Sequence, residues 1–227
     1  ISVARGEQRA DLVLRNARIV NTMTVSIDEA DVAVHGGVIA GVGSYKDGTE
    51  IVDLAGAYLL PGLIDGHTHI ESSMLHPARY AEAVVPRGTL TLVTDLHEIA
   101  NACGMAGIDF VIRWSHRIPL DMKFMAPSCV PATPLETSGA ELDAADFKAI
   151  LARPEVIGLG EVMNYPGVLS RLPAVMAKIE AAKGRPIDGH APGLRGRDLN
   201  AYLAAGIMSD HECTSREEAE EKLRQGM

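Results

Sequence analysis

The sequence predicts an α/β fold in which about six units of a TIM-like (β/α)8 barrel follow a small all-β module. Between residues 11 and 53, short β-type runs alternate with turn sequences such as His35-Gly36-Gly37, a pattern typical of a small β module. From residue 61 to residue 227, strand-like apolar runs alternate with helix-like stretches, which is the order of parallel β/α units. The predicted boundary therefore lies between residues 60 and 61.

Six β/α units are predicted after the β module. The predicted strands end near residues 69, 96, 126, 160, 189 and 209. The predicted helices cover residues 77–85, 106–116, 144–151, 172–182 and 197–205, and a last helix begins after its cap Ser215. A closed barrel needs eight units and about 250 residues. We therefore expect the last two units to be missing and the sequence to be the amino-terminal part of a longer chain.

Composition and charge exclude several classes of function. The 21 basic and 30 acidic residues give a net charge of -9, which would repel a phosphate backbone, so nucleic acid is not an expected partner. Glycine and proline interrupt the apolar runs well short of the roughly 20 residues that span a bilayer, so no membrane segment is predicted. The first ten residues lack the apolar segment of a secretory signal, and a cytoplasmic location is expected. The 3 cysteines include no C-x-x-C pair, which argues against a disulfide framework or a thiolate zinc site.

Five side chains at the predicted strand ends form a candidate metal site. His67 and His69 alternate along one strand, so both imidazoles project to the same side. Glu161, His190 and His211 end the fourth, fifth and sixth predicted strands, and the carboxyl ends of barrel strands converge at one mouth. Four imidazoles and one carboxylate suit Zn²⁺, Mn²⁺ or Fe²⁺ better than Ca²⁺ or Mg²⁺.

Each of these residues taken alone has a simpler interpretation as a solvated strand end or a loop cap, and their equivalent places in successive units favour a shared site.

Other metal-binding motifs are incomplete in this sequence. His69-Ile70-Glu71 begins like a cytidine deaminase signature, but the P-C-x-x-C half is absent. The second histidine of a zincin H-E-x-x-H is replaced by Asn101 and by Ser215. Three further histidines, predicted in a turn or on helices, are not expected to bind metal: His35, His76 and His116.

Several segments resemble a known family. Pro61-Gly62-Leu63-Ile64-Asp65-Gly66-His67-Thr68-His69 resembles the first-strand signature of the amidohydrolase superfamily. The β module resembles the amino-terminal part of the small β-sandwich domain of that superfamily. Within the superfamily, the sequence is most similar to the adenine deaminases. The segments that carry this resemblance are residues 69–74, 95–101, 127–134, 160–167, 188–193 and 209–214.

The resemblance implies a centre of two divalent metal ions, either Mn²⁺, Fe²⁺ or Zn²⁺. His67 and His69 would hold one ion, His190 and His211 would hold the other, and Glu161 would bridge them. The implied reaction is hydrolytic deamination of adenine to hypoxanthine and ammonia by a metal-activated hydroxide, with adenine as the small-molecule substrate. A homodimer is the expected assembly.

The same resemblance gives Glu161, His97, Glu98 and Glu212 as catalytic or proton-transfer groups. The family also uses an aspartate after its eighth strand, which this sequence does not reach, so the 227 residues alone are expected to show little or no activity. Two alternatives remain open. One is a dihydroorotase- or hydantoinase-type hydrolase of cyclic amides or imides, although those relatives generally carry a lysine where Glu161 stands. The other is a non-catalytic metal-binding fragment.

Overall fold

A computed structural model describes every residue of the chain except Pro134. The chain divides into two compact units, Ile1–Gly62 and Leu63–Met227. Among the described residues, no helix is both long and apolar enough to cross a membrane.

The first unit is a five-stranded mixed sheet. Its strands are β1 (Ala10–Asn21), β2 (Ser26–His35), β3 (Val38–Gly43), β4 (Gly48–Asp53) and β5 (Tyr58–Leu59). The order is β3-β2-β1-β4, with β5 also paired to β1; β1 runs antiparallel to β2 and parallel to β4 and β5. Gly36 and Gly37 connect β2 to β3 with φ values of 60° and 77°, a left-handed turn that glycine adopts without steric cost. A small core that includes Val13 and Ala33 packs beneath the sheet.

The second unit contains a five-stranded parallel sheet. Its strands are β6 (Leu63–Thr68), β7 (Thr89–Asp95), β8 (Asp121–Ala126), β9 (Val156–Val162) and β10 (Ile187–Gly189). They pair in the order β10-β9-β8-β7-β6, so strands that follow one another in the chain are neighbours in the sheet. This is the arrangement of successive barrel units, and it brings all five carboxyl ends to one edge. The predicted fold class is confirmed.

Eight α-helices are described in the second unit. They are α1 (Pro77–Val84), α2 (His97–Cys103), α3 (Met105–Ser115), α4 (Ala144–Leu151), α5 (Tyr165–Leu169), α6 (Pro173–Ala181), α7 (Gly196–Ala204) and α8 (Arg216–Arg224). Side-chain caps explain where several begin: Asp143 accepts hydrogen bonds from the first backbone N–H groups of α4, and Ser215 accepts one from Glu218, which confirms the predicted cap of α8.

Two short helices and one strand differ from the sequence prediction. The structure adds α2 and α5, which directly follow strands β7 and β9. Glu71 Oε1 accepts backbone hydrogen bonds from Glu98 (3.2 Å) and Ile99 (3.3 Å) in the first turn of α2, so a residue from another loop caps this helix. Residues 206–209, the predicted sixth strand, are irregular. They contact β10 through one backbone hydrogen bond, which Met208 N donates to Ile187 O at 2.9 Å.

The core of the second unit lies between the parallel strands and their helices. Leu92, Phe124 and Leu159 on three adjacent strands are fully buried, as are Ile108 on α3 and Ile150 on α4. Burying one such side chain contributes about 1.5–3 kcal/mol. This packing holds the strands rigidly, so side chains at the strand ends have fixed positions.

Candidate metal centre

Glu161 lies at the carboxyl end of β9, and its side chain is only 2% exposed. Its Oε1 atom is 3.1 Å from His67 Nε2, 2.6 Å from His69 Nε2 and 3.6 Å from His211 Nε2. Its Oε2 atom is 2.8 Å from His190 Nδ1. The structure thus brings all five predicted ligand side chains together around one carboxylate.

The five side chains form two overlapping groups that share Glu161. In the first group, ligand atoms of His67, His69 and Glu161 all lie within 4.8 Å of one another. In the second group, the same holds for Glu161, His190 and His211. The His67 and His211 rings stack with centroids 3.9 Å apart, so the two groups are in direct contact. Each group offers ligand atoms that could hold a metal ion.

Backbone contacts orient the first group. His69 Nδ1 lies 2.9 Å from the main-chain oxygen of Asp95, so Nδ1 donates a hydrogen bond to that oxygen, and Nε2 faces Glu161. The Asp95 carboxylate is 1% exposed, and its Oδ2 accepts a hydrogen bond from Glu161 N at 2.9 Å. Asp95 on β7 therefore supports both His69 and Glu161, although β8 separates its strand from β9.

Gly160 makes this support possible. A Cβ added at Gly160 would lie 2.5 Å from Cγ of Asp95 and closer still to Oδ2. Because these distances are far shorter than van der Waals contact, a larger residue here would displace the Asp95 carboxylate from the Glu161 backbone. Glycine at this position is required by close approach.

The buried ligand atoms fit a divalent cation. Among the described residues, His67 Nε2, Glu161 Oε1 and His190 Nδ1 are buried without a geometrically valid hydrogen bond, although short distances separate them. A buried polar atom without a partner costs about 1–3 kcal/mol. One cation contacted by several of these atoms would satisfy them together, and imidazole nitrogen with carboxylate oxygen is a donor set that first-row divalent metals accept.

The electrostatics of the site point the same way. Burial raises the pKa of the Glu161 carboxyl, but contacts with His67 and His69 outweigh this effect and hold that pKa well below its usual range. The Glu161 contact raises the pKa of His69 to about 9. Burial, followed by the nearby His67 ring, lowers the pKa of His211. The site therefore keeps its carboxylate ionised, and a positive charge, either a proton or a metal ion, is favoured beside it.

The other predicted catalytic residues lie around this centre. His97 is the first residue of α2; its Nδ1 is 3.6 Å from Asp95 Oδ2, and its ring centroid is 4.6 Å from that of His69. Glu98 is exposed and accepts hydrogen bonds from the Ser72 hydroxyl at 2.7 and 2.8 Å. Glu212 is exposed, with Oε1 3.8 Å from His211 Nε2. His97 is thus adjacent to the ligands, whereas the two glutamates lie at the rim.

The three histidines not expected to bind metal have other contacts. His35 Nδ1 lies 3.0 Å from Asp11, His76 caps α1, and His116 Nε2 lies 2.9 Å from Glu155. The metal-ligand groups found among the described residues do not include them.

Sequence reasoning missed Asp95, Asp188 and the buried Lys222. Asp95 had a usable signal, because it ends an apolar strand as Glu161 does. Asp188 is half-buried on β10 and accepts a hydrogen bond from the Ser209 hydroxyl at 2.9 Å, and burial raises its pKa. Lys222 had no such signal, since the spacing of Glu218 and Lys222 along a helix is typical of a surface ion pair.

Comparison with known sequences gives a consistent result. Residues 58–225 match the model of the Amidohydrolase family. The chain is 60% identical over 227 residues to an adenine deaminase of Dehalococcoides mccartyi, matching 100% of this chain and 40% of that protein. It is 52% identical to adenine deaminase 2 of Carboxydothermus hydrogenoformans, with the same coverage of 100% and 40%. The chain therefore spans about 40% of the length of these curated relatives.

Solved structures share the fold. An N-acyl-D-glutamate deacylase from Bordetella bronchiseptica, solved with zinc, aligns with a TM-score of 0.67 at 16% identity, covering 96% of this chain and 55% of that one. A β-aspartyl dipeptidase from Fervidobacterium islandicum aligns with a TM-score of 0.59 at 18% identity, covering 96% and 62%. At these identities the likeness concerns the fold alone.

Proposed function

The chain belongs to the amidohydrolase family. We propose that the protein hydrolyses adenine to hypoxanthine and ammonia at a centre of two divalent ions. The observation that carries the proposal is the position of Glu161 between two histidine pairs, His67 with His69 and His190 with His211. The 60% identity to an adenine deaminase over all 227 residues supports adenine as the substrate.

The donor set supports Zn²⁺, Mn²⁺ or Fe²⁺ as the bound ions. When bound, such ions lower the pKa of water and so supply hydroxide at neutral pH. Zinc is present in the structure of the deacylase with the same fold, which makes it a reasonable first ion to test. The role of Glu161 is to fix the distance between the two histidine pairs, because its two oxygens face different partners.

The reaction adds the oxygen of water to C6 of adenine and releases the amino nitrogen as ammonia. One proton must leave the attacking water, and the departing amino group must gain one. Glu161 and His97 are the proposed proton-handling groups nearest the centre. Glu98 and Glu212, at the rim, are proposed to exchange these protons with solvent or to contact the purine.

Ammonia release from adenine tests the proposal. The protein at full natural length, loaded with Zn²⁺, Mn²⁺ or Fe²⁺, should release ammonia from adenine and form hypoxanthine. Dihydroorotate and a hydantoin are the matched alternative substrates, and ring opening of either without adenine turnover would overturn the assignment. Metal binding without hydrolysis of any of the three would favour a non-catalytic metal protein.

A matched pair of variants separates the site from the fold. His97→Asn alters a group next to the centre and should lower kcat for adenine about 100-fold if His97 transfers a proton. Glu180→Gln alters an exposed carboxylate on α6 and should leave kcat unchanged.

Homodimer assembly and a cytoplasmic location stay predictions. Light scattering of the purified protein would test the homodimer.

A further inference from the structure

The ammonium group of Lys222 is buried next to the loops that carry His190 and His211. The Lys222 side chain is 3% exposed, which is rare for lysine unless its charge is paired. Its Nζ donates hydrogen bonds to the Ala191 carbonyl at 2.9 Å, to Glu218 Oε1 at 2.6 Å and to Asp210 Oδ2. These three acceptors use all three donors of the ammonium.

The acceptors belong to three different segments of the chain. Ala191 directly follows His190, and Asp210 directly precedes His211, whereas Glu218 lies on α8. A single side chain on α8 is thus hydrogen-bonded to the immediate neighbours of both histidines in the second group.

Glu218 reinforces the same connection. It accepts hydrogen bonds from Gly193 N at 2.8 Å and from Thr214 N and Oγ1 at 3.1 and 3.0 Å. Gly193 lies in the loop after β10, and Thr214 lies in the segment that carries His211. Helix α8 therefore holds both loops through charge-assisted hydrogen bonds, which are about twice as strong as neutral ones.

These loops have little other regular support. Residues 207–214 form no strand, and His190 lies just beyond the three-residue strand β10. Because no continuous ladder of backbone hydrogen bonds fixes these ligands, their orientation depends on side-chain contacts.

The acidic group at Lys222 is not itself a vacant metal site. Ligand atoms of Asp210, Cys213 and Glu218 lie within 4.8 Å of one another, as in a possible cation site. However, the Lys222 ammonium already contacts both carboxylates, so the charge that a cation would supply is present.

We propose that Lys222 is a positioning residue that sets the geometry of His190 and His211 for the second divalent ion. This inference rests on the proposed two-ion centre. Groups that hold metal ligands in place typically contribute about 10- to 100-fold to metal affinity, and we expect the same contribution from Lys222. The effect is selective, because none of the Lys222 contacts involves the segment that carries His67 and His69.

The test measures metal binding rather than turnover. Lys222→Met removes the ammonium and keeps a stem of similar length. The full-length protein, stripped of metal, is titrated with Zn²⁺ against a chromogenic chelator, and bound ions are counted by mass spectrometry. Lys222→Met should bind one ion as the unchanged protein does and the other about 10- to 100-fold more weakly. Arg224→Met removes an exposed cation from the same helix and should bind both ions normally.

Cobalt spectra identify which ion is weakened. The Co²⁺ absorption spectrum of Lys222→Met at one equivalent should match that of His211→Asn rather than that of His67→Asn. Normal affinity for both ions in folded Lys222→Met, or equal weakening of both, would overturn the proposal. If Lys222→Met does not fold, Glu218→Gln keeps the Lys222–Asp210 pair and should weaken the same ion by a smaller factor; unchanged binding there is equally decisive against it.

The outcomes also separate this inference from the proposed function. If the unchanged protein binds two ions and releases no ammonia from adenine, the substrate assignment fails and the role of Lys222 can still be judged from the binding data. If adenine is deaminated and Lys222→Met binds both ions normally, only the inference fails.

Discussion

His67 and His69 are held by the ends of regular strands, whereas His190 and His211 are held by a buried charge network on a helix. His67 lies in β6. His69 is the first residue after this strand, and its Nδ1 atom is hydrogen-bonded to the main-chain oxygen of Asp95. His190 and His211 instead depend on loops that contact α8 through Lys222. Two groups with the same ligand chemistry are therefore positioned by different physical means.

The first half of the centre, His67 and His69, and the second half, His190 and His211, should therefore tolerate different kinds of substitution. Strand ends are fixed by backbone hydrogen bonds and close packing, so steric changes should disturb the first half most. Buried ion pairs depend on complete charge balance, and removing one partner leaves the other buried without compensation. The second half should therefore respond most to changes in charge.

Glu161 belongs to both halves, so its replacement should have the largest effect. Glu161→Gln removes the shared negative charge, and we expect the affinity for both ions to fall by more than about 100-fold, since supporting groups alone contribute 10- to 100-fold. Zinc titration of the full-length protein measures the change. Glu180→Gln, an exposed carboxylate, is the control. Retention of either ion at normal affinity would show that the two halves do not share this residue.

Gly160→Ala tests the steric sensitivity of the first half. The added methyl group would overlap the Asp95 carboxylate, so either the carboxylate or the Glu161 backbone must move. We expect a loss of about 1–3 kcal/mol in the free energy of unfolding, together with weaker binding of the ion held by His67 and His69. Denaturant unfolding and zinc titration check both effects.

Gly66→Ala is the matched control on β6. A Cβ at Gly66 would meet no atom within 4 Å, so stability should be nearly unchanged. If Gly160→Ala were as stable as this control and bound both ions normally, close approach of Asp95 would not matter to the first half.

The acid dependence of stability tests the charge sensitivity of the second half. Burial opposes ionisation of Glu218, but the Lys222 contact and backbone hydrogen bonds lower its pKa to about 2. A lowered pKa in the folded protein means that the stabilisation is fully present above the unfolded value, near 4.5, and is lost as the pH falls towards 2. The metal-free protein should therefore exceed Glu218→Gln in melting temperature at neutral pH, and the gap should narrow below pH 4.5.

Glu217→Gln serves as the control for this comparison, because Glu217 is an exposed carboxylate in the first turn of the same helix. A gap between the unchanged protein and Glu218→Gln that stays constant from pH 7 to pH 3 would mean that the charge of Glu218 does not stabilise the second half.

Local sequence patterns predict the order of most strands and helices and the five residues around the centre. Hydrophobic periodicity depends on local residues only, so it predicted strands β7 to β10 and most of the helices to within a few residues. The ligand residues were recognisable because each follows a predicted strand, and strand ends in successive β/α units meet at one edge. Their role as metal ligands stays a prediction.

The contacts that support this centre could not be predicted from the sequence. The cap that Glu71 gives to α2, the reach of Asp95 to Glu161 and the burial of Lys222 all join residues distant in the chain. No local pattern encodes such contacts, because they depend on where packed strands and helices place each backbone group. The irregular path of residues 206–209 could not be predicted for the same reason: Met208 N donates a hydrogen bond to Ile187 O on β10, and the local composition does not set this contact.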